Sequence, residues 1–134
     1  MSIQQAHIDI EHFFADAWAL TAYSAYPIEY ENVTAQKPQG SPWLRLTVAE
    51  AGNDRLQMGA TPQREYSGIV IINIFCVPNS QGTNLIRALI DTVIGILKEK
   101  TVSNNEFDDC QHGVNGIIDG WLQATVKYPF TRIE

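Results

Sequence analysis

Only two cysteines, Cys76 and Cys110, occur in a chain of 134 residues. That is too few for a disulfide framework, and Cys76, set in an apolar stretch, reads as a small core residue. Basic residues are also scarce: nine Lys and Arg stand against fifteen Asp and Glu, for a net charge of −6 and a pI near 4.9. This balance excludes a nucleic-acid backbone or an anionic membrane as a direct ligand, because both demand a positive field. It is compatible with a wall that DNA slides past without sticking. No apolar run approaches the ~18 residues that a membrane span needs. The N-terminus has neither a basic region nor a continuous apolar run, so no signal peptide is expected; a soluble protein, intracellular when made, is.

Motifs that carry chemistry are missing as well. There is no glycine-rich phosphate loop and no Gly-x-Ser-x-Gly elbow. His7 and His12 lie five apart, not at the i, i+4 spacing of a helical zinc pair. Asp108-Asp109-Cys110-Gln111-His112 is the best local cluster. Its thiol and imidazole would supply a nucleophile–base pair or two metal ligands, where a structural zinc site needs four. A solvated acidic edge that discourages unwanted strand pairing accounts for it more simply. No catalytic residue, metal or cofactor is assigned, and no enzymatic activity is expected.

What the chain does have is a long β-branched run, Glu65 to Val77. Val70, Ile72, Ile74 and Cys76 point one way, and Ile69, Ile71, Phe75 and Val77 the other, with only Asn73 interrupting. A half-wet strand alternates with polar residues. This one should be covered on both sides, as a central strand is, with neighbouring copies of the chain supplying part of the cover.

The remaining elements follow from periodicity. Ser2 to about Ala19 repeats apolar residues every three or four positions (Ile3, Ala6, Ile10, Phe13, Phe14, Ala17, Trp18) and reads as an amphipathic helix. Tyr26-Pro27 ends it. Ile28–Tyr30 reads as a short edge strand, and Trp43–Val48 as a strand with Leu44, Leu46 and Val48 inward and Trp43, Arg45 and Thr47 outward. Glu50–Gln63 carries Gly52, Asn53, Asp54, Gly59 and Pro62 and reads as the long, protruding tip of a hairpin. From Asn84 to Lys100 a second helix buries Ile86, Leu89, Ile90, Val93, Ile96 and Leu97. Glu106–Gln111 is a weak edge strand; Gly113, Gly116 and Gly120 break the next stretch into turns; Trp121–Tyr128 alternates as a strand. The prediction is a single α+β domain over residues 1–134: a mostly antiparallel sheet, two main helices on one face, and a long protruding hairpin loop.

Several of these positions carry a family resemblance. Pro38, Gly40, Pro42 through Val48, Met58-Gly59, Arg64, Gly68, Ile74-Phe75 and Pro78, with Trp121 through Val126 and Tyr128-Pro129-Phe130, resemble the pattern of phage tail terminator proteins. The resemblance spans about Tyr26 to Phe130 and is one of strand, turn and aromatic positions. It implies a homo-oligomeric ring, commonly a hexamer, on the head-proximal end of the tail tube. Such a ring stops tube polymerisation and presents a surface to the head-completion protein while DNA passes through its channel. It implies a place in the virion tail, reached from the host cytoplasm during assembly. A head-completion or neck protein on a similar scaffold is the alternative.

A ring needs heterologous contacts that close by rotation. Arg55, Leu56 and Met58 at the hairpin tip are one candidate contact, against a simple solvated tip. Trp43 and Arg45 are a second, against Trp43 merely capping the edge of the core. Whether Asp108 and Asp109 face the channel is open at this point.

Overall fold

The computed structural model describes residues 2–30, 42–55, 64–78, 82–98, 101–102, 105–118 and 120–133. The described elements run α1 (Ser2–Ala19), β1 (Ile28–Tyr30), β2 (Trp43–Arg55), β3 (Arg64–Cys76), α2 (Gly82–Leu97), β4 (Thr101–Val102), β5 (Asn105–Phe107), β6 (Gln111–Ile118) and β7 (Trp121–Ile133). The strands form one sheet in the order β1-β2-β3-β7-β5-β4, with β6 also paired to β7. Only the β1–β2 pair is parallel; every other described pair is antiparallel. β5 and β6 share one side of β7: β5 pairs Phe130–Arg132, and β6 pairs Trp121–Lys127. The architecture is the expected α+β, a mostly antiparallel sheet with helices on one face.

The core lies between the sheet and the helices. Leu44, Leu46 and Val48 from β2, Val70, Ile72, Ile74 and Cys76 from β3, and Ala124, Val126, Tyr128 and Phe130 from β7 project to the helix side and are buried. The six apolar residues expected to face inward on α2 are all buried, as are Ile10, Phe14 and Trp18 of α1. Burial of this kind stabilises by roughly 1.5–3 kcal/mol per large aliphatic side chain. Three polar contacts fix how the helices sit. The Tyr128 hydroxyl donates to the Ile94 carbonyl at 2.9 Å, tying β7 to α2. Arg132 of β7 meets Asp9 of α1 at 3.4 Å. The Trp18 indole N–H donates to the Tyr26 carbonyl at 3.1 Å, closing the turn that Pro27 then ends.

Several boundaries differ from expectation. Residues 50–55, read from sequence as part of a loop, continue β2 and pair with β3 as far as Arg55 opposite Arg64. The register slips between Glu50 and Gly52, so Ala51 is the extra residue of a bulge. Cross-strand pairing overrides the poor strand propensity of Gly52, Asn53 and Asp54, and the bulge absorbs the mismatch. The tip of the expected hairpin loop, with Leu56 and Met58, lies outside the described residues.

The second difference is β6. Its glycines suggested turns, yet Gln111–Ile118 is a strand forming a hairpin with β7. Gly116, at φ 100°, occupies a bulge where the register steps from Val114 to Gly116, and Gly120, at φ 81°, sits in the turn that returns to Trp121. Both conformations belong to glycine. The Asp119-Gly120 dipeptide between apolar residues is the tight-hairpin signal that composition alone obscured. The expected Glu106–Gln111 strand is divided: β5 ends at Phe107, and Asp108 to Cys110 link it to β6.

Candidate assembly interface

Among the described residues, helices cover one side of β3 only, and on the other side Phe75 is buried beneath Trp43. Its helix-side row is completely buried, whereas Ile69, Ile71 and Asn73 on the opposite, helix-free face are only partly buried. Register brings matching residues of the neighbouring strands beside them. Ile71 lies between Thr47 and Lys127, and Ile69 between Ala49 and Pro129. The result is an aliphatic strip across the middle strands of a face that no described helix covers.

A polar row crosses the same face one step along. Glu29, Arg45, Asn73, Thr125 and Gly113 are successive register partners on β1, β2, β3, β7 and β6. The Arg45 guanidinium meets the Glu29 carboxylate at 3.4 Å. The Thr125 hydroxyl donates to Asn73 Oδ1 at 3.1 Å, and the Asn115 amide donates to Thr125 Oγ1 at 2.8 Å. Asn115 reaches this row because it is the bulged residue of β6.

Beyond the polar row lie the aromatics. Trp43 stacks on Phe75 with ring centroids 4.0 Å apart and planes within 6°, and meets Trp121 edge-on at 6.2 Å. Arg45 lies over both stacked rings, 5.4 Å from the Trp43 centroid and 5.5 Å from that of Phe75. A cation held over two aromatic faces and paired to a carboxylate is fixed in place. Trp43 is on the helix-free face as expected, but these neighbours leave it only 3% exposed. Its ring is packed against Phe75, Trp121 and Arg45 rather than presented to solvent.

The structure does not bring the two candidate contacts together. Arg55 ends β2 and Trp43 begins it. Twelve residue steps of extended chain separate them by roughly 40 Å.

On the helix side, an open concavity of about 790 Å³ gathers Ile94, Lys98, Phe107, Asp108, Asp109, Cys110, His112 and Tyr128. Asp108 and Asp109 are exposed at its rim. Burial, reinforced by the neighbouring Cys110 and Asp109, pushes the Tyr128 phenol well above its usual range, and its proton is committed to the Ile94 carbonyl. Among the described residues no group of three or more His, Cys, Asp and Glu is arranged to hold a metal ion. Cys110 and His112 line the same concavity, as residues two apart on an extended segment do.

A family profile for phage tail terminator proteins matches residues 10–101, more than half of the chain. The chain belongs to the phage tail terminator family. The match runs from α1 into β4 and includes Trp43, Arg45 and the whole β2–β3 pair; the aromatic residues of β7 that added to the resemblance lie beyond it. Membership in a tail terminator family places the protein among structural components of phage tails. A solved structure superimposes with a TM-score of 0.69 over 98% of this chain and 96% of its own, at 18% identity, and shows that the fold is shared. No curated protein matches the chain.

Proposed function

We propose that this chain is the subunit of a closed ring, hexameric by family precedent, that caps the head-proximal end of a phage tail tube. The ring ends tube polymerisation and offers its other side to the head-completion protein. The role is structural, with no catalysis and no cofactor, and no nucleic acid is bound specifically; DNA passes through the channel. The protein acts in the virion tail after assembly in the host cytoplasm.

The observation that carries this reading is the second apolar row of β3. Ile69 and Ile71 lie only partly buried on a face that no described helix covers, in the middle of a seven-stranded sheet. Apolar side chains left partly exposed on an uncovered sheet face support a protein contact there. The same sheet has its free strands on opposite sides, β1 on one and β4 and β6 on the other. A contact between unlike sides is heterologous and closes into a ring when its rotation permits. Arg45 and Trp121 flank the strip and supply the polar and aromatic groups favoured at interfaces. Arg55, at the far end of β2, with Leu56 and Met58 that follow it in sequence, is the proposed contact for the tube.

Asp108 and Asp109 belong to the connection beside the C-terminus of α2. They line the DNA passage only if that edge of the subunit faces the channel.

Native mass measured over a concentration series tests self-association directly. The ring reading expects a closed oligomer that Ile71→Glu converts to folded monomer. Electron microscopy of a lysate lacking the protein should show overlong or headless tails. Normal-length tails joined to heads would overturn the reading. Capture of portal-side protein rather than purified tail tube protein would favour the neck-connector alternative.

A further inference from the structure

We propose that Asn115 and Gly116 form a site of spontaneous succinimide formation in the folded chain, one that converts Asn115 to aspartate or isoaspartate. The reaction needs only water. The Gly116 backbone nitrogen attacks the Asn115 side-chain carbonyl carbon, the Cγ–Nδ2 bond breaks, and ammonia leaves carrying the displaced proton. Water then opens the five-membered imide at either carbonyl. One opening restores the backbone with an aspartate; the other routes the backbone through the side chain and lengthens the strand by a methylene.

Three features favour this position. Asn115 is the only asparagine of the sequence followed by glycine, and a following residue without Cβ leaves its nitrogen unobstructed. Asn115 is also the extra residue of a bulge, since the register steps from Val114 opposite Ala124 to Gly116 opposite Gln123. A bulged residue is released from the ladder that holds regular strand backbone in place. Space is available too. Gly116 stands at φ 100° with no atom within 4 Å of where its Cβ would be, and Asn115 is exposed on a strand whose described pairing is to β7 alone.

The product acts on the polar row of the helix-free face. At present the hydrogen bonds run in one direction: the Asn115 amide donates to Thr125, and the Thr125 hydroxyl donates to Asn73. A carboxylate at position 115 has no proton to give. The Thr125 hydroxyl turns to donate to it, and Asn73 Oδ1 loses that donor next to Arg45, its register partner. A new negative charge then stands at the β6 end of the row.

The test uses the full chain at neutral pH and physiological temperature, folded and in urea, sampled over time. Tandem mass spectrometry follows the tryptic peptide from Thr101 to Lys127, which carries Asn104 and Asn105 as internal references. Opening of an exposed edge takes little free energy. The folded chain should therefore convert Asn115 within about tenfold of the unfolded rate, and faster than Asn105. A folded rate more than about tenfold below the unfolded one means that the strand seals the site and overturns the proposal; so does conversion no faster than at Asn105. The Asn115→Asp variant tests the consequence separately. Its Asn73 side-chain amide resonances should shift, and unchanged resonances would overturn the reversal of the row.

Discussion

Gly68→Ala is the substitution whose outcome the structure constrains most tightly. Gly68 lies on the helix side of β3, between Glu50 of β2 and Phe130 of β7. A Cβ there would come within 2.6 Å of Phe130 Cζ, 2.7 Å of Phe130 Cε1 and 2.7 Å of the Ala49 carbonyl oxygen. The Phe130 ring, buried at 5% exposure, occupies the space that a side chain at position 68 would fill. The ring can tilt, but the Ala49 carbonyl belongs to a paired strand and cannot. Forcing a methyl group into packed space costs about 1–3 kcal/mol. Loss of glycine's extra freedom in the unfolded chain returns about 0.5–1 kcal/mol. The net expectation is a loss of about 1–2 kcal/mol, which lowers Tm by about 3–7 °C in a chain of this size. Urea titration and thermal melts followed by circular dichroism measure both quantities. A double-mutant cycle with Phe130→Leu locates the cause. With the smaller side chain, Gly68→Ala should lose about 1 kcal/mol of its penalty, the part due to the ring. A Gly68→Ala protein as stable as wild type would refute the close-approach argument. An unchanged penalty in the Leu background would assign the whole effect to the Ala49 carbonyl.

Three further outcomes are expected. Burial raises the Cys76 thiol from 9.0 to about 11, so the folded state holds this proton more tightly than the unfolded state. Stability should therefore be intact below pH 9 and decline between pH 9 and about 11, and Cys76→Ala should flatten that decline; identical profiles for the two proteins would refute this. Tyr128→Phe removes the donor to the Ile94 carbonyl and should cost about 1 kcal/mol by urea titration, as a typical buried hydrogen bond does. Arg45→Ala leaves the buried core of β2 untouched and should change stability by under about 1 kcal/mol. It should still weaken self-association in sedimentation, and an unaltered association constant would remove Arg45 from the proposed interface.

Much of the fold was legible because burial leaves a periodic trace. The 3.6-residue repeat of α2 identified its whole buried face, and the alternation of β2 identified Leu44, Leu46 and Val48. The double apolar pattern of Glu65–Val77 marked a central strand and hinted that its second side needs cover from outside the chain. Local chemistry misled where long-range pairing outweighs it. Gly52, Asn53 and Asp54 look like a turn, but β3 offers them a ladder. Gly113 and Gly116 look like turn residues too, and β7 makes them part of a strand. The candidate interface was half visible. Arg45 and Trp43 were found as outward residues of a strand, but Trp121, Thr125, Asn73 and Asn115 join them only through register, which no local window contains.

The division is a physical one. The sequence alone determined which residues avoid water, the acidic charge balance, and the family pattern, because each depends on side-chain chemistry and short-range spacing. Tertiary structure decided which strands are neighbours and in what register. It thereby decided that Trp43 is shielded by Phe75 and Trp121, that a polar row spans five strands, and that Ile69 and Ile71 of β3 are only partly buried on the helix-free face. Those outcomes arise from contacts between residues far apart along the chain, such as Asn73 and Thr125, whose meeting depends on how the whole sheet is assembled.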